Sequence, residues 1–580
     1  MTGKRCKRVF RTSWTGRPAL IAILIVFLIS HPIVRADTIK GETVSQFDPF
    51  TWPSDIPQDC PLKKSLTFDS ITFSGRYADY GAADTWFPSW CSDGELRSPF
   101  TDGKVGDIAA GTPNPGAARI SGDDPLNLEI APLTTVNSHL GGGAHSCGRY
   151  PSAALVFNSV WYYGTYLLTD HDNSVHVPHN DWQVLEPFVG FRYSTDDGKN
   201  WNDKTDPDNG LFENYHESAS ATPNHEIIIG APHFVDFGKN MKFAPTDHAT
   251  GRKYAYMTAH GAGPEATAAS NSWVIGDNVY LIRILMPRGA DAKSNTAYLN
   301  TALKWQYFTK SGAWLPWDKN HLNIVRRNIR PIAHWGETAP PESDQPTFGF
   351  GETSVTYDAP IKTYLMCVAR CITANRFDTI ILESPKITGP YRIVHSLSNF
   401  GPVAYFPTIP SKFISPDGKR MWLSYSANYG GQKANVAGAA YAMCLREFYL
   451  NSPGAATRKY QAEAATLAGG AAVYGDPAAS NSNIVAYLNS AGRSVSFHHC
   501  PAAPRIGVTY ASVTAGAFSL YINGVKNQEI QVPATGQWTG KGAYREVWTT
   551  VAIPEDSDVT LQCDEGNTGV NLDFIELPQN

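Results

Sequence analysis

Short apolar runs rich in β-branched and aromatic residues, each followed by a cluster of turn residues, recur from residue 71 to residue 450. Runs of this kind occupy 154–157, 160–166, 188–193 and 421–425. Long amphipathic helical patterns are scarce in the same region. Many short strands separated by turns are typical of sandwiches, barrels and propellers. The sequence therefore predicts an all-β protein.

One hairpin motif distinguishes these architectures. The segment 194–201, Ser-Thr-Asp-Asp-Gly-Lys-Asn-Trp, resembles the Asp-box hairpin of sialidases and other propellers, with Asn200 in place of the usual threonine. In such a hairpin Asp196 accepts turn amides, Gly198 takes a positive φ and Trp201 packs beneath the blade. We predict a five-bladed β-propeller, although the length of this region also suits six or seven blades.

The first 36 residues have the pattern of a secretory signal peptide. Six basic residues precede an apolar run at 19–29, and Val34 and Ala36 are the small residues of a cleavage site. The apolar run is too short for a comfortable membrane span. We therefore expect a secreted monomer, with no stable membrane insertion after cleavage. The net charge of -5 offers no basic surface for nucleic acid.

A chain of 580 residues exceeds what one core usually holds, so at least two domains are expected. We predict a propeller at 37–450, a linker at 451–459 and a compact final domain at 460–580. Eight cysteines remain after the leader is removed, and the final domain contains Cys500 and Cys563. An even number of cysteines in an exported chain indicates disulfides, so we expect these two to pair.

The final domain carries four sequence elements in order, at 460–470, 517–525, 532–538 and 571–576. Together they resemble carbohydrate-binding modules of families 6 and 35. The resemblance implies a jelly-roll β-sandwich with a structural calcium ion, a cation that prefers oxygen ligands. The family positions whose side chains hold this calcium are matched by Gln461, Glu463 and Asp573.

The same resemblance implies a saccharide site at one end of the sandwich, built from an aromatic ring and an amide. Asn571 matches the amide. Tyr544 and Trp548 compete for the ring, and Tyr487 is a further candidate. Trp538 is expected in the core.

Three segments of the large domain resemble the five-bladed glycoside hydrolases of family 43. Glu352 precedes the strand 362–365, and a Gly-Pro-Tyr turn follows within 383–391. The resemblance implies a general base, a pKa modulator and a general acid, because two carboxyl groups must flank the scissile bond. It assigns the acid to Glu352 and the base to Asp84, with no cofactor for catalysis.

Two other acids compete for the role of base. Asp93 and Asp102 each precede a glycine, which is typical of tight turns. The surrounding stretch is dense in acids and aromatic residues. We therefore expect Trp86, Trp90 and Asp93 to line a sugar subsite.

The third catalytic position departs from the family pattern. In the segment 230–236, Gly-Ala-Pro-His-Phe-Val-Asp, Ala231 stands where the modulating aspartate is expected. His233 and Asp236 are the candidates to replace it.

Three functions compete. The first is a secreted hydrolase of polysaccharides or oligosaccharides with an appended binding module. The second is a polysaccharide lyase that uses His145 or His233 with a nearby tyrosine, since the glycine-rich loop 141–150 also holds an arginine and a tyrosine. The third is a non-catalytic lectin or adhesin in which both domains only bind saccharide.

Overall fold

The computed structural model describes most of the chain after the leader. The described residues are 39–40, 42–44, 52, 54, 56–111, 114–136, 148–169, 184–185, 187–202, 210–213, 227–261, 273–288, 298–336, 349–373, 376–401, 403–428, 440–452 and 457–578. The predicted signal peptide and His145 lie outside them. Within the described ranges no helix is long and apolar enough to cross a membrane.

Strands dominate the described part of residues 39–451. They are β1 (Ile39–Lys40), β2 (Glu42–Val44), β3 (Ser70–Tyr80), β4 (Ala82–Asp84), β5 (Ser89–Trp90), β6 (Leu96–Val105), β7 (Ile108–Ala110), β8 (Gly116–Ser121), β9 (Glu129–Thr135), β10 (Gly148–Phe157), β11 (Val160–Thr169), β12 (Val184–Leu185), β13 (Gly190–Ser194), β14 (His233–Phe234), β15 (Tyr254–Gly261), β16 (Asn278–Leu285), β17 (Trp305–Phe308), β18 (Trp314–Pro316), β19 (Ala333–His334), β20 (Gly351–Asp358), β21 (Thr363–Thr373), β22 (Arg376–Ser384), β23 (Arg392–Leu397), β24 (Tyr405–Thr408), β25 (Arg420–Ser426) and β26 (Met443–Asn451).

Eleven further strands follow among the described residues after 456. They are β27 (Thr457–Gln461), β28 (Thr466–Ala468), β29 (Ala472–Gly475), β30 (Asn483–Leu488), β31 (Arg493–Cys500), β32 (Ala503–Ala511), β33 (Gly516–Ile522), β34 (Val525–Val532), β35 (Arg545–Ile553), β36 (Ser557–Cys563) and β37 (Val570–Pro578). The helical elements are short: α1 (Leu322–Asn328) and the 3-10 turns Lys239–Met241, Ala302–Lys304, Lys319–His321, Ser411–Phe413 and Ala462–Ala464. The prediction of an all-β protein is confirmed.

The strands before residue 452 form five sheets in the part of the chain described. Their strand pairs are antiparallel, and four of the sheets follow one another along the chain. These four contain β1-β9-β8-β6-β4 with β5 and β7, β10-β11-β12 with β13, β14-β15-β16-β17-β18 with β19, and β20-β21-β22-β23. The sequence order within each sheet follows from hairpin connections, which the turn residues between the apolar runs favour.

The fifth sheet joins the two ends of this region. Its order is β2-β3-β26-β25-β24, so early strands pair with the last ones. Strand β3 pairs with β26 in a register that places Ile71 opposite Leu450 and Tyr80 opposite Met443. Strands β3 and β24 belong to this one sheet. Because β4 begins two residues after β3 ends, the sheet also fixes the position of β4 relative to β24.

The Asp-box segment forms the hairpin that its residues predict. Asp196 accepts hydrogen bonds from the hydroxyl of Ser194 (2.7 Å) and the backbone N–H of Asn200 (2.9 Å). Gly198 has a φ of 80°, and a Cβ at this position would lie 2.9 Å from the ring of Trp161. Trp201 packs edge-on against the same ring, with centroids 5.2 Å apart.

The last eleven strands form two further sheets, which we call the C-terminal sheet pair. One has the order β29-β30-β37-β32-β35 with β27, and the other β28-β31-β36-β33-β34. Apolar residues of both sheets share one buried cluster, which includes Val508, Leu520 and Leu572. Arg505 of β32 lies 3.5 Å from Asp69, which precedes β3.

The expected disulfide between Cys500 and Cys563 is wrong. Both cysteines are free, and they lie at opposite ends of the β31–β36 pair. In the register of that pair Cys500 is opposite Ser557 and Cys563 is opposite Arg493. At roughly 3.4 Å per residue the two Cα atoms are about 20 Å apart, whereas a disulfide requires less than about 7 Å.

This register predicts the outcome of differential alkylation. When the intact chain is denatured in iodoacetamide without a reductant, we expect both cysteines to carry the label by peptide mass spectrometry. Labelling should not increase after prior reduction. A Cys500–Cys563 cross-linked peptide in the unreduced digest would contradict the strand register.

Candidate functional site

Asp84 is a buried carboxylic acid at the end of β4. Its side chain accepts hydrogen bonds from the hydroxyls of Tyr405 (2.8 Å) and Tyr441 (2.9 Å) on Oδ2, and of Thr85 (2.8 Å) on Oδ1. The residue is 4% exposed. Burial raises the pKa of Asp84 to about 7, with a contribution from the charge of Asp102, while the three hydroxyl donors lower it. Asp84 is thus poised to change its charge near neutral pH.

Glu352 is a second buried acid, at the start of β20. Its Oε2 accepts a hydrogen bond from the backbone N–H of Phe406 (2.6 Å), and its Oε1 has no hydrogen-bond partner. Burial raises the pKa of Glu352 well above its usual value, and the charge of Asp84 adds to the rise. Both effects favour the protonated form of Glu352.

Two consecutive residues of β24 hold these two acids. Tyr405 donates its hydroxyl to Asp84, and Phe406 donates its backbone N–H to Glu352. The structure thus brings together two of the predicted catalytic residues, which lie far apart in the sequence. An apolar cluster surrounds them; its members include Phe87, Tyr166, Ala231, Trp273, Val403, Tyr405 and Phe406.

The backbone around the acids is strained. Glu352 has a φ of 46°, Thr85 of 62°, Val403 of 56° and Phe406 of 52°. β-Branched residues such as threonine and valine strongly disfavour this left-handed region. The strand register is also irregular at Glu352 and at Asp84, where β20 and β4 each contain a shift. Strained residues and bulges of this kind concentrate at functional sites.

The two nearby histidines are buried. His233 packs on Phe87 with ring centroids 3.8 Å apart. Burial, and then the charge of His260, lower the pKa of His233 to about 3, so the ring is neutral at neutral pH. His260 accepts a hydrogen bond from the backbone N–H of Glu352 at its Nδ1 (3.2 Å). His260 therefore contacts the backbone of Glu352.

Asp236 is engaged elsewhere. Its carboxylate accepts hydrogen bonds from the backbone N–H (2.8 Å) and hydroxyl (2.7 Å) of Ser411, and from the backbone N–H of Gly238 (2.9 Å). Its backbone forms a parallel bridge with Thr356, four residues after Glu352. These contacts connect the segment after β14 to β20 and to the turn at Ser411, so they indicate a structural role for Asp236.

The aromatic residues after Asp84 are mostly part of the core. Trp86 is 1% exposed, donates its indole N–H to Ala83 and stacks on Phe100. Trp90 is partly buried against the apolar cluster that contains Trp86 and Phe100. These contacts do not form the sugar subsite expected of Trp86.

Asp93 lies in a charged network on the surface. It accepts a hydrogen bond from Arg97 (2.8 Å), and the same buried guanidinium binds Asp197 of the Asp-box hairpin (2.7 Å). Asp93 also accepts the backbone N–H of Glu95, as a turn residue does. Arg97 thus joins the turn that contains Asp93 to the Asp-box hairpin.

An open cleft of about 400 Å³ lies on the C-terminal sheet pair. Three aromatic rings line it, those of Tyr474, Tyr487 and Trp538, which are 50%, 51% and 41% exposed. Asn489 and Asn571 provide amides at the same cleft. Exposed rings beside amide groups suit a sugar ring, whose apolar face stacks while its hydroxyls form hydrogen bonds.

The cleft includes some of the predicted residues and omits others. Asn571 and Tyr487 line it as the resemblance implies, whereas Trp538 was wrongly expected in the core. Tyr544 binds Asp476 through its hydroxyl. Trp548 lies under the guanidinium of Arg505, 4.6 Å from the ring centroid. The glycines around Trp538, at 536, 540 and 542, were the signal of an exposed loop.

Gln461, Glu463 and Asp573 each bond to residue 480 or 481 and fit a cation site. Oε1 of Gln461 and Oε2 of Glu463 are buried and have no hydrogen-bond partner. Burial raises the pKa of Asp573 to about 6, and the nearby charge of Glu463 adds to the rise. In the described ranges no cluster of three histidine, cysteine or acidic side chains can hold a metal, so a site here depends on the glutamine amide. Hard oxygen ligands of this kind suit calcium.

No protein-family model and no curated protein matches the chain. It is similar to the family 35 carbohydrate binding module from Clostridium thermocellum, at 22% identity and a TM-score of 0.20, over 21% of this chain and 98% of that one. It is also similar to an exo-β-1,3-galactanase from Phanerochaete chrysosporium solved with galactose, at 11% identity and a TM-score of 0.32, over 89% and 99% of the two chains.

A third similar structure is the catalytic unit of an α-1,3-glucanase from Streptomyces thermodiastaticus. The identity is 22% and the TM-score 0.19, over 22% of this chain. The match spans 27% of the glucanase, about a quarter of its length.

The raised pKa of Asp84 predicts that this acid destabilises the fold once it is ionised. The pKa rises from 3.8 to about 7 on folding, so stability is lost as the pH rises through this range, by on the order of 4 kcal/mol in total. We expect Asp84→Asn to unfold at a higher temperature than the wild type at pH 8 and to show no such gain at pH 4. The exposed turn variant Asp107→Asn is the control, and a gain that does not depend on pH would contradict the assignment.

Proposed function

We propose that the chain is a glycoside hydrolase acting on a polysaccharide or oligosaccharide, with Glu352 and Asp84 as its catalytic acids. The observation that carries the proposal is that adjacent residues Tyr405 and Phe406 hold the two buried acids beside each other. Hydrolysis of a glycosidic bond needs one protonated and one ionised carboxyl group across the bond. Burial raises the pKa of both groups, and the charge of ionised Asp84 raises that of Glu352 further, which favours a proton on Glu352 when Asp84 is ionised.

In this mechanism Glu352 is the general acid. Its Oε2 is fixed by the N–H of Phe406, while its Oε1 has no partner and is free to give its proton to the leaving oxygen. A carboxyl group that stays protonated at neutral pH is what such a step requires.

Asp84 is the general base, which takes a proton from the attacking water. Tyr405 and Tyr441 orient the carboxylate by donating to the same oxygen. Attack by water on the face opposite the leaving group inverts the anomeric configuration. We therefore expect the first product detected by proton NMR to have the anomeric configuration opposite to that of the substrate.

Ala231 lies in the apolar cluster around the acids. A third carboxylate that raises the pKa of the acid is absent from this position. The burial of Glu352 and the charge of Asp84 already raise that pKa. We therefore propose a two-carboxylate site in which neither Asp236 nor His233 takes the modulating role.

The proposed architecture is a five-bladed propeller followed by a jelly-roll module, in an exported monomer. Five sheets, one of which pairs β3 with β26, support the propeller. The two sheets around one core support the module. In this proposal the module binds saccharide through Tyr474, Tyr487 and Trp538 and holds a structural calcium.

The lectin and the lyase remain as alternatives to hydrolysis. The exposed rings of the cleft favour binding, which a lectin shares with the proposed hydrolase. A lyase needs a histidine or tyrosine that accepts a proton readily. Burial lowers the pKa of His233 to about 3, which makes its neutral ring a weak base, and the ring is stacked on Phe87. Absorbance from an unsaturated uronate product would favour the lyase.

Substitution of the acids tests hydrolysis. On a panel of neutral and acidic polysaccharides, we expect Glu352→Gln and Asp84→Asn each to lower reducing-sugar release by about 100-fold or more, because each removes a proton-transfer group. The exposed strand variant Glu129→Gln is the control. Unchanged release in both variants would refute the two-acid assignment, and no release by the wild type on any polysaccharide would favour the lectin.

The pH profile tests the roles. Asp84 must be ionised and Glu352 protonated, so we expect kcat/KM to rise with pH through about 7. The rise should disappear from the residual activity of Asp84→Asn. A rate that falls as the pH rises through 7 would reverse the roles of the two groups.

Loss of a ring from the cleft tests saccharide binding. In affinity electrophoresis through gels that contain the polysaccharides, we expect Trp538→Ala to weaken binding by about tenfold, since stacking contributes on the order of 1 kcal/mol beyond burial. The control is Tyr449→Ala, a half-exposed tyrosine of β26. Equal retardation of wild type and Trp538→Ala on every polysaccharide would exclude this cleft.

A further inference from the structure

One turn connects the candidate cation site with the aromatic cleft. This connecting turn, residues 476–482, lies between β29 and β30. Its first residue, Asp476, is 4% exposed, and its backbone N–H donates to the carbonyl of Ser482 (3.0 Å). Two further backbone bonds lie inside the turn, so it is a compact unit held at both ends.

The far end of the connecting turn contacts all three predicted calcium ligands. The N–H of Ser480 donates to both oxygens of Asp573 (3.2 and 3.0 Å), and its hydroxyl accepts from the amide of Gln461 (3.0 Å). The amide of Asn481 donates to Oε1 of Glu463 (2.8 Å). Fixing the three ligands therefore fixes the turn.

The near end of the turn holds the loop that carries a ring of the cleft. Oδ2 of Asp476 accepts the backbone N–H of Gly540 (2.7 Å) and the hydroxyl of Tyr544. Trp538, two residues before Gly540, lines the cleft. Gly540 has a φ of 97°, and its neighbours 536 and 542 are also left-handed glycines, so the loop has little conformational preference of its own.

We propose that Asp476 is the positioning residue through which calcium at Gln461, Glu463 and Asp573 orders the Trp538 loop. The inference rests on the proposed calcium site and saccharide cleft. Binding of the cation fixes the carboxylates of Glu463 and Asp573, these hold the connecting turn, and Asp476 transmits that order to residues 536–544. A saccharide that stacks on Trp538 then binds a loop that is already ordered, so less conformational entropy is lost on binding. Cation and saccharide therefore each strengthen the binding of the other.

A second bond to the same loop makes the role of Asp476 testable. The amide of Asn571 donates to the carbonyl of Trp538 (2.9 Å), and Asn571 stands two residues before Asp573 on β37. Calcium at Asp573 could therefore order the Trp538 loop through β37 and Asn571 instead of through the connecting turn. Removal of the carboxylate of Asp476 separates the two routes, because the bond of Asn571 stays.

Hydrogen–deuterium exchange of the full chain, with and without calcium, measures the coupling directly. In the wild type we expect calcium to slow exchange in peptides of both the connecting turn and 536–544, by about tenfold or more. In Asp476→Ala the turn should keep its calcium-dependent protection while the loop loses it. Tyr544→Phe, a milder change that keeps the bond to Gly540, should lose part of it. The exposed turn variant Asp556→Ala should behave as the wild type.

Two results would overturn the inference. Calcium-dependent protection of 536–544 that persists in both Asp476→Ala and Tyr544→Phe would assign the coupling to the β37 route. Protection of the connecting turn without protection of the loop in the wild type would mean that the two sites are independent. Absence of calcium binding by calorimetry would instead refute the calcium site itself. If the wild type is retarded by saccharide equally with and without calcium, the proposed saccharide cleft stands although its coupling to calcium does not.

Discussion

The central constraint in this protein is the burial of two carboxylic acids against adjacent residues of one short strand. Tyr405 and Phe406 offer a hydroxyl and a backbone N–H to Asp84 and Glu352. A buried carboxyl group loses its hydration, so each acid takes up a proton more readily than it does in water. Three hydroxyl donors lower the pKa of Asp84, whereas Glu352 has one backbone donor and its pKa is raised further by the charge of Asp84. These contacts favour the proton on Glu352.

The framework that supports the acids requires closure of the chain. Asp84 ends β4, the short strand that follows β3, and Tyr405 begins β24, which lies in the same sheet as β3. Strand β26 pairs with β3 and thereby places residues from the two ends of the region side by side. The left-handed backbone conformations at residues 85, 352, 403 and 406 are strained, and the surrounding sheets hold them in place. The site is thus maintained at the expense of local stability.

In the C-terminal sheet pair the candidate site residues are held by hydrogen bonds, whereas the two acids of the first region are defined by their burial. The turn that begins at Asp476 contacts the oxygen ligands on one side and the Trp538 loop on the other. In the proposed coupling, a bound cation supplies the partners that Oε1 of Gln461 and Oε2 of Glu463 lack. The turn would then link cation binding to saccharide binding, because it contacts both sites.

The sequence by itself determined the all-β class, the Asp-box hairpin and the residue types that carry acid–base and saccharide chemistry. These follow from local patterns: turn residues, alternating apolar runs and the hydrogen bonds that Asp196 makes within four residues. It also selected Glu352 and Asp84, through the resemblance of their flanking segments. Tertiary structure alone decided which acids meet. Asp236 has the same chemistry as Asp84, yet Ser411 occupies its carboxylate.

Tertiary structure likewise decided exposure and distance, which no local pattern encodes. The strand register separates Cys500 from Cys563, and a loop of left-handed glycines turns Trp538 outward while Trp86 packs inward. Whether a ring is core or binding surface depends on which elements cover it, and these elements come from distant parts of the chain. The sequence determined what each residue can do, and the pairing of remote strands decided which residues are in a position to do it.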